Sequence, residues 1–143
     1  MNEEEFNEKL LKLLNQIKPD KKIIIQFIDE HSDLKPNDSV LTAACKWGDI
    51  EIIELLIKNG AEVCNNTDAL IIACQWQEIN IVKLLIENGV NVKDNAGAFS
   101  IACDEGDKEI IELLLNFGAK TSYENIMHIC DHGFLDVIKI MLE

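Results

Sequence analysis

The residues of this sequence with the greatest chemical potential are its five cysteines, four of which recur at nearly regular intervals. Cys45, Cys74 and Cys103 follow one another at steps of 29 residues, and Cys130 comes 27 residues after the last of them. Thiolates bind zinc and act as redox nucleophiles, so a regular column of thiols raises the question of a metal site or a redox switch. The answer depends on the elements that position these side chains.

Three histidines, His31, His128 and His132, are the other candidates for chemistry. The sequence shows no serine or cysteine nucleophile pattern, no paired metal ligands and no glycine-rich phosphate loop. We therefore expect no enzymatic activity, no catalytic residue, no cofactor and no metal.

Composition narrows the classes of partner. The chain has 143 residues with 26 Asp and Glu against 13 Lys and Arg, for a net charge of −13. An acidic surface repels nucleic-acid phosphates and anionic lipid headgroups, so we expect neither as a partner. No secretory leader and no apolar run of about 20 residues is visible. An odd number of cysteines without a secretory signal predicts reduced thiols and a cytoplasmic location.

The cysteine step belongs to an internal repeat. Gly60, Gly89 and Gly118 follow the same step of 29 residues, as do the alanines that precede the cysteines. The repeat divides residues 1–143, taken as one domain, into units 36–64, 65–93 and 94–122, an incomplete C-terminal unit 123–143 and a degenerate N-terminal capping unit 1–35. In the capping unit His31 stands at the glycine position, and histidine tolerates a left-handed backbone conformation better than most residues.

Each unit reads as two short helices. In the first unit, helical spacing of apolar residues predicts a helix over about 38–46 that Gly48 ends. Asp49 is the expected N-cap of a second helix, and Asn59-Gly60 its stop. Two sets of residues are predicted on this second type of helix: an apolar face of Ile50, Ile53, Leu56 and Ile57, and exposed i,i+4 ion pairs Glu54–Lys58 and Lys83–Glu87.

The units resemble the ankyrin repeat. The stretch AACKWGDIEIIELLIKNGA from Ala43 is similar to the family pattern LHLAAxxGHLEVVKLLLExGADV, and it recurs in register through residues 36–143, with a weaker likeness over 1–35. The resemblance implies an all-α helical solenoid. The family tetrapeptide TPLH is absent and the unit is about four residues shorter than the usual ~33. The shortening falls on the β-hairpin fingers, and similar short fingers occur in the ankyrin arrays of giant viruses and protists. If this protein is viral, the resemblance implies that it acts in the cytoplasm of the host.

The resemblance also bears on the thiols. Equivalent residues of adjacent ankyrin repeats lie roughly 8–10 Å apart, a helix-packing distance. Zinc requires its thiolates at about 2.3 Å, and a disulfide requires Cα atoms within about 7 Å. We therefore interpret the column of Cys45, Cys74, Cys103 and Cys130 as small packing residues. Cys64, outside the column, is predicted to be an exposed and reactive thiol.

Two variable columns at the ends of the first helices are the candidate binding site. In the family these columns line a concave groove, which implies that a partner would be bound by Lys46, Trp47, Gln75, Trp76, Asp104, Glu105, Asp131 and His132. The two tryptophans are a candidate aromatic anchor pair. The alternative is that they cover the rim of the helix pairs or stack on each other. His31 and His128 are predicted to be structural.

These observations predict a protein–protein interaction module that binds a partner protein through its first-helix, concave face. As an interaction module it would be a monomer. The alternative is a structural module that self-assembles through its uncapped C-terminal repeat. A third hypothesis is a redox- or metal-responsive switch through Cys64 and the cysteine column.

Overall fold

The computed structural model describes all residues 1–143. Its helices are α1 (Glu3–Leu14), α2 (Lys21–Glu30), α3 (Asp38–Trp47), α4 (Ile50–Lys58), α5 (Thr67–Gln75), α6 (Ile79–Glu87), α7 (Ala96–Glu105), α8 (Lys108–Asn116), α9 (Tyr123–Asp131) and α10 (Leu135–Leu142). The chain contains no strand. Consecutive helices form five pairs, and none of the ten has the length and apolar character needed to cross a bilayer.

The helix boundaries follow from local capping chemistry. Asn37 accepts the Val40 amide at the start of α3, and Gly48 ends that helix in a left-handed conformation with φ 81°. The side chain of Asp49 then caps α4, accepting two amides of its first turn. Residues with short polar side chains favour this position because they satisfy helix-terminal amides. The predicted helix pair of the first unit is therefore confirmed, including its stop at Asn59.

The pairs stack into one solenoid. First helices contact first helices from α1 to α3, α5, α7 and α9, and second helices contact second helices from α2 to α10. A single core of 33 buried residues runs through all five pairs. Because each pair buries its apolar surface against its neighbours, the fold is the predicted all-α helical solenoid.

The buried face of the second helices differs in detail from the prediction. In α4 the fully buried residues are Ile52, Ile53 and Leu56, whereas Ile50 is 38% exposed and Ile57 is only partly buried. Ile50 is the first residue of α4, and the buried face of this helix consists of residues 52, 53 and 56. The helix packs between α2 and α6.

The predicted ion pairs within second helices are also wrong. Lys83 bonds Glu109 of the next repeat at 3.3 Å rather than Glu87, and Glu54–Lys58 does not form. Lys108 similarly reaches Asp136 of the following helix pair. The second helices lie side by side, so a long lysine side chain reaches the neighbouring helix as readily as the next turn of its own.

His31 does not adopt the left-handed conformation. Its φ is −124°, and it ends α2 as the C-cap residue. The imidazole Nδ1 lies 2.8 Å from the Phe27 carbonyl, and the ring packs 4.6 Å from the Phe27 ring. The side chain thus closes the helix end, where other repeats use a glycine backbone.

The connections between pairs are loops without strands. Ala61 and Val63 are buried residues of the loop between α4 and α5, and one backbone hydrogen bond of 3.2 Å joins the Asn91 amide of the next loop to the Cys64 carbonyl of this one. The shortened fingers predicted from the repeat length are therefore reduced to turns that no longer pair as hairpins.

Candidate functional site

The eight residues predicted to bind a partner lie at the C-terminal ends of α3, α5, α7 and α9 and in the turns that follow. Because the first helices stack in register, these ends form one continuous edge, which we call the first-helix face. It comprises Lys46, Trp47, Gln75, Trp76, Asp104, Glu105, Asp131 and His132. All of them are exposed except Trp47, which is partly buried.

The two tryptophans occupy different environments. Trp76, the C-cap residue of α5, is 57% exposed. Trp47 packs against the hydrophobic core and lines a shallow cavity with Leu14 and Pro19. The connection of residues 15–20 between α1 and α2 covers Trp47, whereas the corresponding connection beside Trp76 is only the 48–49 turn. The two rings do not stack on each other.

The turn after Trp76 is unusual in its backbone. Gln77 has φ 57°, the only positive value at a residue other than glycine, whereas the equivalent positions are Gly48, Gly106 and Gly133. A left-handed conformation costs a residue with a Cβ about 1 kcal/mol. The Gln77 side chain donates a hydrogen bond of 3.3 Å to the Glu105 carboxylate of the next repeat. The turn that follows Trp76 is thus joined to the next repeat through Gln77.

Both histidines of the last pair contact the preceding repeat. His128 Nε2 lies 3.4 Å from Asp104 Oδ1. The His132 ring stacks on Phe134 at 5.5 Å and lies over Gly106, where an added Cβ would come within 2.6 Å of the imidazole Cε1. His132 therefore shapes the surface of the last turn, and Gly106 is required by this close approach as well as by its φ of 69°.

The cysteines divide into two groups. Cys45, Cys74 and Cys103 are fully buried, and burial raises the pKa of each thiol from 9.0 to about 12. Cys64 is exposed, as predicted, and Cys130 is exposed too, so the buried column contains three thiols rather than four. All five are free, and no cluster of three potential metal ligands occurs.

The structure shows a polar network that the sequence analysis missed. Asn66 caps α5 by accepting the Ala69 amide, while its Nδ2 donates to the Asp38 carbonyl of the preceding repeat at 3.0 Å. Asn95 repeats this arrangement with Ala98 and Thr67. The signal was present, because Asn37, Asn66 and Asn95 follow the same 29-residue step as the cysteines. The Asn37 side chain has the capping role alone, and across the repeats only its backbone amide takes part, donating to Asn7 Oδ1. We call Asn37, Asn66 and Asn95 the asparagine ladder.

The comparison with known families agrees with this architecture. The family model described as ankyrin repeats (3 copies) matches residues 7–96. The match includes most of the first helix pair, where the sequence resemblance is weakest, and ends at the first residue of α7. Among curated proteins, none matches the chain. The repeat register, the stacked helix pairs and a match over more than half of its length together show that this chain belongs to the ankyrin-repeat family.

Proposed function

We propose that this protein is a binding module that holds a partner protein through the first-helix face. Ankyrin repeats are generally protein–protein interaction modules, and the family is not enzymatic. The observation that carries the choice of face is Trp76, a large aromatic side chain 57% exposed at the centre of that face. Tryptophan is enriched among residues that dominate binding energies, because its large amphipathic ring loses little conformational entropy on burial.

Trp76→Ala tests the proposal. The matched control is Phe117→Ala, since Phe117 is 51% exposed at the end of α8, away from the first-helix face. Both variants should retain the helical circular dichroism of the parent. In affinity capture from an extract of the cells that make the protein, proteins recovered by the parent and by Phe117→Ala should be lost with Trp76→Ala. Equal recovery by all three would overturn the assignment of this face.

Trp47 has a different role in the same proposal. Its ring packs on the core and on the connection between α1 and α2, so its truncation changes the fold as well as the surface. A double replacement of Trp47 and Trp76 would mix these effects, and the single Trp76 variant is the cleaner test.

A second candidate function is self-assembly through the C-terminal flank. Ile126, Cys130, Ile138 and Met141 stand at the repeat positions of Phe99, Cys103, Ile111 and Leu114, which are at most 1% exposed. In the last pair the first two are exposed and the others only partly buried. This flank continues the surface by which repeats pack on one another, which favours a second copy of the chain as its partner.

Sedimentation equilibrium tests this second candidate. The parent should form a dimer at micromolar concentration, and Ile126→Glu should restore the monomer. A parent that remains monomeric over the whole concentration range would remove the candidate. The redox or metal switch has less support, because Cys64 lies apart from the buried thiols and no ligand cluster accompanies it.

A further inference from the structure

We propose that a groove along α3 binds a peptide segment of the partner, with an apolar side chain of the segment at the Trp47 end and an acidic side chain on Lys46. This inference rests on the proposed function as a binding module and adds the place and the chemistry of the bound segment. It is carried by two adjoining cavities, by a fully exposed isoleucine in the wall of one of them, and by a lysine that lines both.

Two shallow cavities adjoin over α3. The larger, of about 360 Å³, extends from α1 across α3 to the start of α5. The smaller, of about 210 Å³, lies beside the connection of residues 15–20. Asn15, Ala43 and Lys46 line both cavities. The two therefore form one continuous depression, which we call the α3 groove.

The α3 groove exists because α3 presents small side chains to it. Thr42 and Ala43 line the groove, whereas the residues one repeat further along, on α5, are the larger Ile71 and Ile72. Both α1 and α5 pack against α3. The sequence of α3 thus leaves room for a ligand between the two first helices that flank it.

The end of the groove beside Trp47 is apolar. Ile17 is fully exposed, at 101%, and it lines this end together with Pro19 and Trp47, which are both partly buried. Covering such a surface is favourable by roughly 25 cal/mol for each Å² of apolar area removed from water. Adjoining exposed apolar groups in a concave place are a common mark of an interaction site. This end therefore fits an apolar side chain such as Leu, Ile or Phe.

Lys46 provides positive charge at the junction of the two cavities. Its side chain is exposed and makes no salt bridge. Asp38 and Asp68 line the opposite end of the groove, and Asp38 is eight residues from Lys46 on the same helix, roughly 12 Å along its axis. A carboxylate of the partner is therefore attracted at Lys46 and repelled at the far end. The groove thus favours an acidic residue close to the apolar one.

The experiment selects peptides from a displayed library of random sequences on the immobilised protein. Binding of a selected peptide, fluorescently labelled, is then measured by anisotropy for Ile17→Ala and Lys46→Glu, because both side chains are exposed and their replacement leaves the core intact. Phe117→Ala is the control for the loss of exposed apolar surface. Lys58→Glu is the control for charge, since Lys58 is exposed on α4 and makes no salt bridge.

We expect the selected peptides to share an apolar residue close to an Asp or Glu. Ile17→Ala and Lys46→Glu should each weaken binding about fivefold, whereas both controls should bind like the parent. Selection on Lys46→Glu should yield peptides with Lys or Arg in place of the acidic residue. The proposal is overturned if the selection yields no such peptides, if either variant binds them like the parent, or if Lys46→Glu selects acidic peptides again.

This proposal and the one on which it rests fail separately. Trp76 lines neither cavity, so Trp76→Ala should bind the selected peptide like the parent. Capture from cell extract that survives Trp76→Ala, with peptide binding still weakened by Ile17→Ala and Lys46→Glu, would overturn the role of Trp76 and keep the groove. Capture lost with Trp76→Ala, with peptide binding unchanged in the two groove variants, would overturn the groove and keep the role of Trp76.

Discussion

At the scale of single residues, equivalent positions of a repeat need not have equivalent environments. Trp47 and Trp76 stand at the same position of consecutive repeats, 29 residues apart in the chain. Yet the Trp47 ring packs on the core, whereas Trp76 is mostly exposed. The difference comes from the neighbouring repeat, where a six-residue connection covers Trp47 and a two-residue turn leaves Trp76 open. The repeat register predicted that both tryptophans lie on one edge. It could not predict their different burial, because the 15–20 segment beside Trp47 has no counterpart in the other repeats.

Truncation of the two tryptophans should separate these environments. Trp47→Ala is expected to lower the free energy of unfolding by about 1–3 kcal/mol, because it removes core contacts. Trp76→Ala should change it by no more than about 0.5 kcal/mol, as is usual for exposed side chains. Urea unfolding followed by circular dichroism measures both values. Equal losses in the two variants would contradict the difference in burial.

The buried thiols make stability depend on alkaline pH. The folded state raises the pKa of Cys45, Cys74 and Cys103 from 9.0 to about 12. A group with a raised folded pKa stabilises the fold fully below its unfolded pKa, and that contribution is lost as pH rises toward the folded value. Stability should therefore fall between pH 9.0 and about 12, by up to about 1.4 kcal/mol per pH unit for each thiol.

Urea unfolding at several values of alkaline pH measures this slope. The triple variant with alanine at 45, 74 and 103 should show a shallower slope than the parent. It is the necessary control, since the ion-paired lysines, whose pKa values are raised as well, also lose charge in this range. Parallel slopes in the two proteins would show that the thiols do not contribute.

At the scale of elements, the asparagine ladder joins neighbouring repeats through the side chains of Asn66 and Asn95. Asn66 is 3% exposed. Its Oδ1 accepts the Ala69 amide at the start of α5, and its Nδ2 donates to the Asp38 carbonyl of the preceding repeat. No buried side-chain polar atom in the protein lacks a hydrogen-bond partner, so these bonds complete the network. A buried amide with donors and acceptors all satisfied fixes the register of neighbouring elements.

Asn66→Ala should cost about 2–3 kcal/mol of stability. About 1 kcal/mol comes from the lost helix cap, and the rest from the Asp38 carbonyl left without its partner. Asn66→Asp keeps the acceptor for the cap but loses the donor, so the two variants apportion the effects. Asn88→Ala is the control, since this exposed amide bonds only within its own helix end. Thermal unfolding should show the control close to the parent.

The elements also show how far the sequence could be read. Helix starts at Asp49 and stops at Gly48 and Asn59 were predictable, because capping is determined by residues within a few positions. Interactions between repeats were not, since the reach of Lys83 to Glu109 depends on how second helices are placed side by side. The asparagines are visible as a periodic signal, but the bond of Asn66 to the Asp38 carbonyl depends on how the first helices stack.

At the scale of the whole molecule, a solenoid distributes its stability by nearest-neighbour contacts. Central pairs pack on both sides, and their helices bury three or four residues each. The last pair has a neighbour on one side only, and α10 buries a single residue, Val137. In such a chain the ends open locally, while loss of a central interface affects everything that depends on it.

Hydrogen exchange should therefore distinguish a central from a terminal core substitution. Leu85 and Val137 are both fully buried, in α6 and α10. Leu85→Ala, costing about 2–5 kcal/mol, should reduce amide protection in helices on both sides of α6, because it weakens two interfaces. Val137→Ala should reduce protection in α9 and α10 and leave α3 to α6 unchanged. If both variants instead lowered protection uniformly, the five pairs would unfold as one cooperative unit. The α9 end of the first-helix face could then not unfold while the part of the face around Trp76 stayed folded.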